Sequence, residues 1–271
     1  YQPHPKMCPT SAPILYISVS NPYFYPFQFT HTMNLVIDSG NTSTKVAIFD
    51  QENLVEKRVL SSVGELENYL QQTRAENLIV SSVNADADHL MNLSTHVRKK
   101  IKLTSTLPLP VNNLYQTPNT LGVDRIAGAC GAIQLFPSKN TLVIDAGTCV
   151  TYDFVDSKHN YHGGGISPGL AMRFKAVHTF TAKLPLVVPK ADPELIGNST
   201  ESCIQSGITL GVVDEIDGII ARYRAKYPEL QVILCGGDAP FFENQLKASI
   251  FACPNLVLIG LNRILLHNVV N

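Results

Sequence analysis

Past residue 32 the chain is written in short apolar runs punctuated by Gly, Asp and Pro, and one unit of that pattern recurs. Leu35 to Asp50 reads LVIDSGNTSTKVAIFD, and Leu142 to Asp156 reads LVIDAGTCVTYDFVD. In each, an apolar run ends in Asp-x-Gly and a second run of alternating polarity follows, which is the pattern of a β-hairpin. A polar, helix-prone stretch from Val63 to Ala75 and an apolar strand over Asn77–Ser82 follow the first copy. Further on, a helix is predicted within Tyr115–Phe136, capped by Asn119 or Thr120 and burying Ile126, Cys130, Ile133 and Phe136. A second helix is predicted over Ile208–Tyr227 and a strand in QVILCGGDAP, Gln231–Pro240; LVLIGL at Leu256–Leu261 and a short terminal helix close the chain. The repeated Leu-Val-Ile-Asp-x-Gly, each time with a matching second strand, predicts an α/β protein of two related halves. These are expected at about 33–145 and 146–271, facing each other across a cleft.

Residues 1–32 follow no such pattern. They are studded with proline, hold no acidic residue, and show neither helical nor strand periodicity. They are expected to be a disordered or loosely draped extension, upstream-translated or artefactual, with the folded chain starting at Met33. Composition narrows the rest. Of 271 residues 45% are apolar, enough for a sizeable core, and 21 Lys+Arg balance 22 Asp+Glu. A net charge of -1 argues against a protein that coats nucleic acid. No uninterrupted apolar run reaches about 18 residues, so no transmembrane helix is expected. The six cysteines (8, 130, 149, 203, 235 and 253) form no CxxC pair, as expected of reduced, buried thiols in a soluble cytoplasmic protein.

The two Asp-x-Gly turns carry the candidate chemistry. Gly40 and Gly147 are expected to let backbone N–H groups turn outward to phosphate oxygens, with Asn41, Thr42 and Thr148 adding short donors. Asp38 and Asp145 are strand-end carboxylates suited to a cation or its water shell. Lys45 is placed to reach a transferring phosphate. Between the turns, Asp124 and Arg125 fall in a first helical turn. A capping Asp and a surface Arg are the commonplace outcome for such a pair; the alternative is a carboxylate that accepts a proton from an attacking hydroxyl and a guanidinium that holds an anionic substrate. HGGGISPG, ending at Gly169, offers close backbone approach or a plain tight loop, and the closing Gly236-Gly237 pair lets a ligand lie against the backbone. Cys149 and Cys203 are expected to be small buried fillers.

Six segments in order make this chain resemble the type III pantothenate kinases, members of the acetate-kinase, sugar-kinase and actin-like (ribonuclease H-like) superfold. They are DSGNTSTK at 38–45, YQTPNTLGVDR at 115–125, DAGTCVT at 145–151, GGGISPG at 163–169, TAKLP at 181–185 and CGGDA at 235–239. The resemblance implies mixed sheets flanked by helices and ATP-dependent phosphorylation of pantothenate, the first step towards coenzyme A. It implies a phosphate loop of Asp38, Ser39, Gly40, Asn41, Thr42, Ser43, Thr44 and Lys45, with Asp38 organising Mg²⁺. Asp145 would hold a monovalent cation, K⁺ or NH₄⁺; Thr148 would contact ATP, and Gly236 and Gly237 the adenosine. Asp124 would be the catalytic base. Tyr115, Gly122, Val123, Asp124 and Arg125 would contact pantothenate, and Thr181 would close that pocket on the neighbouring subunit of a homodimer. The same resemblance leaves two rivals: a non-catalytic transcription-accessory relative and another small-molecule kinase of the superfold.

Overall fold

The computed structural model describes residues 6–7, 32–40, 43–82, 87–94 and 96–269. Apart from residues 6, 7 and 32, the expected extension over 1–32 lies outside the described residues. Strand β1 (Lys6–Met7) is followed by a meander of β2 (Met33–Ser39), β3 (Thr44–Asp50) and β4 (Asn53–Leu60). Then come α1 (Val63–Gln72), β5 (Asn77–Ser82), α2 (Ala87–Leu93) and β6 (Lys99–Lys102). After β7 (Asn112–Asn113) and a 3-10 turn at Pro118–Thr120, helix α3 (Val123–Leu135) leads to a second meander. Its strands are β8 (Thr141–Ala146), β9 (Cys149–Val155) and β10 (Asn160–Pro168). The chain finishes with α4 (Leu170–Thr179), α5 (Thr200–Lys226), β11 (Gln231–Cys235), α6 (Ala239–Phe242), β12 (Phe251–Ala252) and α7 (Leu256–Val269).

Two sheets form, ordered β4-β3-β2-β5-β6 and β1-β12-β11-β8-β9-β10-β7. In the first, β2, β3 and β4 are antiparallel neighbours, while β5 pairs parallel with β2 and with β6. In the second, β8, β9 and β10 are antiparallel, while β11 pairs parallel with β8 and with β12. Without its edge strands β1 and β7, the second sheet repeats the first strand for strand. Register repeats as well. Asp38 lies opposite Lys45 on β3 and Ser81 on β5; Asp145 lies opposite Thr151 on β9 and Cys235 on β11. The architecture is the duplicated α/β fold expected from the repeated hairpin, with the mixed sheets and flanking helices that the family resemblance implies.

Each sheet buries its central strand because its apolar runs do not alternate. Leu35, Val36 and Ile37 are all fully buried. Leu35 and Ile37 join Val46, Leu78 and Val80 in a core closed by Leu66 and Leu70 of α1 and by Ala87 and Leu90 of α2. The second sheet turns Leu142, Ile144, Tyr152 and Phe154 towards Val212, Ile216 and Ile220 of α5. Strand β6 is an edge, and its Lys99, Lys100 and Lys102 discourage pairing with another chain. No helix among the described residues is long and apolar enough to cross a membrane.

The chain divides into two compact units. One takes Val111–Gln116 and Ala132–Leu256 together with β1; the other takes Thr117–Gly131, Val257–Asn271 and the stretch up to Pro110 that holds β2 to β6. The expected boundary near 145 instead falls within β8, and the terminal helix belongs with the first sheet. A buried chain of amides explains that placement. Asn77 Nδ2 donates to Asn34 Oδ1 at 2.9 Å, Asn34 Nδ2 to Asn262 Oδ1 at 2.9 Å, and Asn262 Nδ2 to the Gln51 carbonyl at 2.7 Å. Close packing adds to it: a Cβ on Gly260 would sit 1.7 Å from the Ala127 carbonyl oxygen, so α7 meets α3 backbone to backbone.

Other expectations shift for local reasons. Pro118–Thr120 forms its own 3-10 turn, so the helix expected from Asn119 or Thr120 starts at Val123. Helix α5 starts at Thr200, well before Ile208, because Ser199 and Ser202 make a reciprocal capping box. HGGGISPG is mostly strand β10, and Leu256–Leu261 opens α7.

Asn262→Ala would strand the buried Asn34 amide and remove the donor to the Gln51 carbonyl. It is expected to lower the unfolding free energy by about 2–4 kcal/mol in urea titration, with the Asn34→Ala, Asn262→Ala pair costing less than the sum of the singles.

Candidate active site

Asp38 is half-buried at the next-to-last position of β2, flanked directly by Lys45 and Ser81. Burial raises its pKa to about 6; Lys45 and a hydrogen bond from Ser81 pull it down, and the Asp124 charge pushes it up. The carboxylate is therefore under-compensated. A bound cation would reverse that balance. Ser39 Oγ and Thr44 Oγ1 lie 3.2 Å apart and close the hairpin above it. Lys57 on β4 stands opposite Ala47, one pleat along from Lys45, and burial and the Lys45 charge lower its pKa.

Asp124 and Arg125 open α3, at the positive end of its dipole. Their burial is the reverse of the commonplace outcome for the pair, since Asp124 is exposed while Arg125 is only 8% exposed. Asp124 Oδ1 accepts the Arg125 backbone N–H at 2.8 Å. Gly122 explains how the carboxylate reaches that pose: a Cβ there would lie 2.5 Å from Asp124 Oδ1. Asp38, Lys45, Asp124 and Arg125 thus belong to one unit, where the charges of Lys45 and Asp124 act on Asp38.

The other unit assembles a second cluster. Gly236 has φ +95, and a Cβ on it would lie 2.4 Å from Asp145 Oδ1 and 2.2 Å from the Ala146 carbonyl oxygen. Asp238 N–H donates to that same carbonyl at 2.8 Å. Gly169 closes on the turn from another side: its N–H donates to the Thr148 carbonyl at 3.1 Å, and a Cβ there would lie 2.0 Å from the Gly147 oxygen. The DAGTC, SPG and GGD segments, far apart in sequence, therefore meet around Asp145 and Thr148. Tyr115 belongs to this unit too, its ring lying over Gly163, where φ is +85 and a Cβ would come within 2.7 Å of it.

Several expectations need correction. At neither Gly40 nor Gly147 is the backbone left-handed, and a Cβ would find nothing closer than 3.6 Å at Gly40 and nothing within 4 Å at Gly147. The space above Gly147 and Gly237 is open, so these glycines leave room instead of bending the chain. Cys203 is exposed and Cys149 half-buried, so neither is a buried filler. Asn41 and Thr42 lie outside the described residues. Thr181 is exposed, its hydroxyl donating to the Val177 carbonyl at 2.7 Å. Sequence reasoning missed Ser81, Lys57 and Arg173. Only sheet register or helix packing brings them to these turns, although the paired serines ending NLIVSS are an unusual finish for a buried strand.

Two sheets of one order, each with an aspartate next to the end of a matching strand and one with a cation directly opposite, define a duplicated α/β protein with a carboxylate at each of two matching turns. The chain belongs to the type III pantothenate kinase family, whose profile matches residues 34–222. A type III pantothenate kinase of Christiangramia forsetii is 47% identical over 240 residues, covering 87% of this chain and 99% of the relative. One from Bacteroides fragilis is 48% identical over 239 residues, covering 87% and 98%. In fold, the chain is similar to a Campylobacter jejuni protein described as a Baf family transcriptional activator. That likeness has a TM-score of 0.58 at 22% identity, covering 86% of this chain and 98% of the other.

The raised pKa of Asp38 has a stability consequence. A carboxyl lifted from 3.8 to about 6 on folding binds its proton more tightly in the folded chain. This group therefore favours folding most at low pH, and its cost grows as pH climbs through that window, reaching at most about 3 kcal/mol at neutral pH. Asp38→Asn in ligand-free protein is expected to raise the Tm by a few degrees at neutral pH and by less at about pH 5 in a calorimetric melt.

Proposed function

We propose that this protein transfers the γ-phosphoryl group of ATP to the terminal hydroxyl of pantothenate, giving 4'-phosphopantothenate, the first step towards coenzyme A. Family membership supports the substrates, and one observation supports the chemistry. An exposed carboxylate at the start of α3 acts electrostatically on the Asp38–Lys45 pair in the same unit. Phosphoryl transfer asks for in-line placement and charge neutralisation more than covalent help. In this reading Asp124 accepts a hydrogen bond from the pantothenate hydroxyl and takes its proton as the oxygen attacks the γ-phosphorus. The bond from that phosphorus to the bridging oxygen breaks, and ADP leaves with the electron pair. Lys45 and the turn from Asp38 to Thr44 hold the phosphates. Arg125 holds the substrate carboxylate, and Tyr115, Gly122 and Val123 contact pantothenate. Thr148, Gly236 and Gly237 contact the nucleotide.

The residues fit the ions such a reaction uses. Asp38 is a hard oxygen donor with under-compensated charge, and no group of three or more His, Cys, Asp or Glu set to hold a metal occurs among the described residues. A single carboxylate with phosphates and water completing the shell is how Mg²⁺ is commonly held. That ion would neutralise phosphate charge. Asp145 Oδ1, with room kept open by Gly236, fits a monovalent cation, K⁺ or NH₄⁺. The work is assigned to the cytoplasm, where nucleotide and thiols are kept reduced and available.

We also propose a homodimer. Phe180, Leu186, Val188, Leu195 and Ile196 are 62–85% exposed within one short stretch of a single unit, an apolar surface of the kind that a second copy covers. Thr181 lies in that stretch and would close the partner's pantothenate pocket.

Following ADP release with ATP, Mg²⁺ and K⁺ tests the activity. Release that depends on pantothenate supports it, release without pantothenate points to another activity, and none points to the transcription-accessory role. Asp124→Asn is expected to lose at least about a hundredfold in kcat; near-normal turnover would remove Asp124 from its role. Light scattering after gel filtration should give a dimer that Phe180→Asp with Leu195→Asp converts to monomer, and a monomeric starting protein would refute the assembly.

A further inference from the structure

Thr148 sits exposed at the second turn, where the Gly147 N–H donates to the Cys149 carbonyl at 2.9 Å. Further support comes from Gly169, whose N–H donates to the Thr148 carbonyl and which lies against the carbonyl of Gly147. The segment carrying Gly169 is itself held by one side chain. Arg173 Nε donates to the Pro168 carbonyl at 2.8 Å, and Arg173 Nη2 donates to Ser167 Oγ at 2.9 Å. The same nitrogen meets Glu215 Oε2 of α5 at 2.6 Å, and Glu215 Oε1 accepts the Tyr152 hydroxyl at 2.9 Å. Tyr152 lies on β9, opposite Ile144 on one side and Gly165 on the other. The chain of contacts thus runs from α5 through Arg173 to Ser167, Pro168 and Gly169, and from there to the carbonyls beneath Thr148.

The charges in this chain are set for rigidity. Arg173 and Glu215 side chains are 22% and 28% exposed, a part-buried pair with charge-assisted bonds. Burial alone would raise the Glu215 pKa, but hydrogen bonds from Arg173, Ser167 and Tyr152 outweigh it and hold the carboxyl ionised. The planar fork of a guanidinium reaches a carbonyl, a hydroxyl and a carboxylate at once, which a lysine ammonium on its flexible stem does not do in one pose.

We propose that Arg173, fixed by Glu215, is a positioning residue for the nucleotide: it sets the Ser167–Gly169 segment against the Gly147–Thr148 turn, so that Thr148 faces the ATP phosphates. This rests on the reading that Thr148 contacts ATP. Arg173→Met and Arg173→Lys in the full chain, with Thr148→Ala as benchmark, separate the two. Each Arg173 variant is expected to raise the KM for ATP by at least about tenfold while leaving that for pantothenate within about twofold. Glu215→Gln keeps the shape but weakens the hold and should raise the ATP KM by less. Isothermal titration with ATP should show the same order, and melting curves above the assay temperature check the fold. Where Arg173→Met does not fold, the Arg173→Lys and Glu215→Gln variants carry the test. A normal ATP KM in the Arg173 variants beside a raised one in Thr148→Ala overturns the positioning role and leaves the nucleotide contact standing. Equal losses for both substrates also overturn it, because a merely structural contact would act that way. An unchanged ATP KM in Thr148→Ala overturns both.

Discussion

A carboxylate at the end of a strand buried on both faces is costly, and the first unit is organised around that cost. Strand β2 carries Asp38 into a setting where burial raises its pKa to about 6 despite Lys45 and Ser81 beside it. Asp124 adds a second negative charge instead of relieving the first. A protein selected for stability alone would replace either carboxylate. Held together, they leave negative charge that the fold does not fully offset and that a bound cation would.

Duplication explains both the likeness and the difference between the two turns. Each aspartate occupies the same place in the same sheet, yet the residues opposite have diverged. Asp38 has Lys45 and Ser81, and Asp145 has Thr151 and Cys235. One turn therefore brings its own cation, which suits a place where phosphate charge develops. The other keeps a carboxylate among backbone carbonyls and small side chains, packed so closely that Gly236 takes a left-handed conformation to clear it. Support differs too. The second turn is braced by Gly169 and the Arg173–Glu215 pair, contacts made through α4 and α5.

The hairpins, strand β5 and the repeated Asp-x-Gly were legible because each is a local pattern of burial and turn residues. Strand β5 ends where its sequence predicts, at Ser82. Helix starts were less legible. Pro118–Thr120 diverts into a 3-10 turn, and Ser199 caps α5 well ahead of its obvious apolar face. Gly122 and Gly40 look alike in sequence. Only packing separates them, since Gly122 clears a path for the Asp124 carboxylate and Gly40 clears none.

The amino-acid sequence by itself determined the two-fold repeat, the family and the candidate residues for the chemistry, because these depend on short motifs whose spacing is covalent. Tertiary structure alone decided which of those residues share surroundings. It put Asp124 within electrostatic reach of Asp38, buried Arg125 while leaving its neighbour exposed, and drew α7 onto the first sheet through Asn34 and Asn262. Pairing register and side-chain burial are properties of distant segments brought together, and no local stretch of chain encodes them.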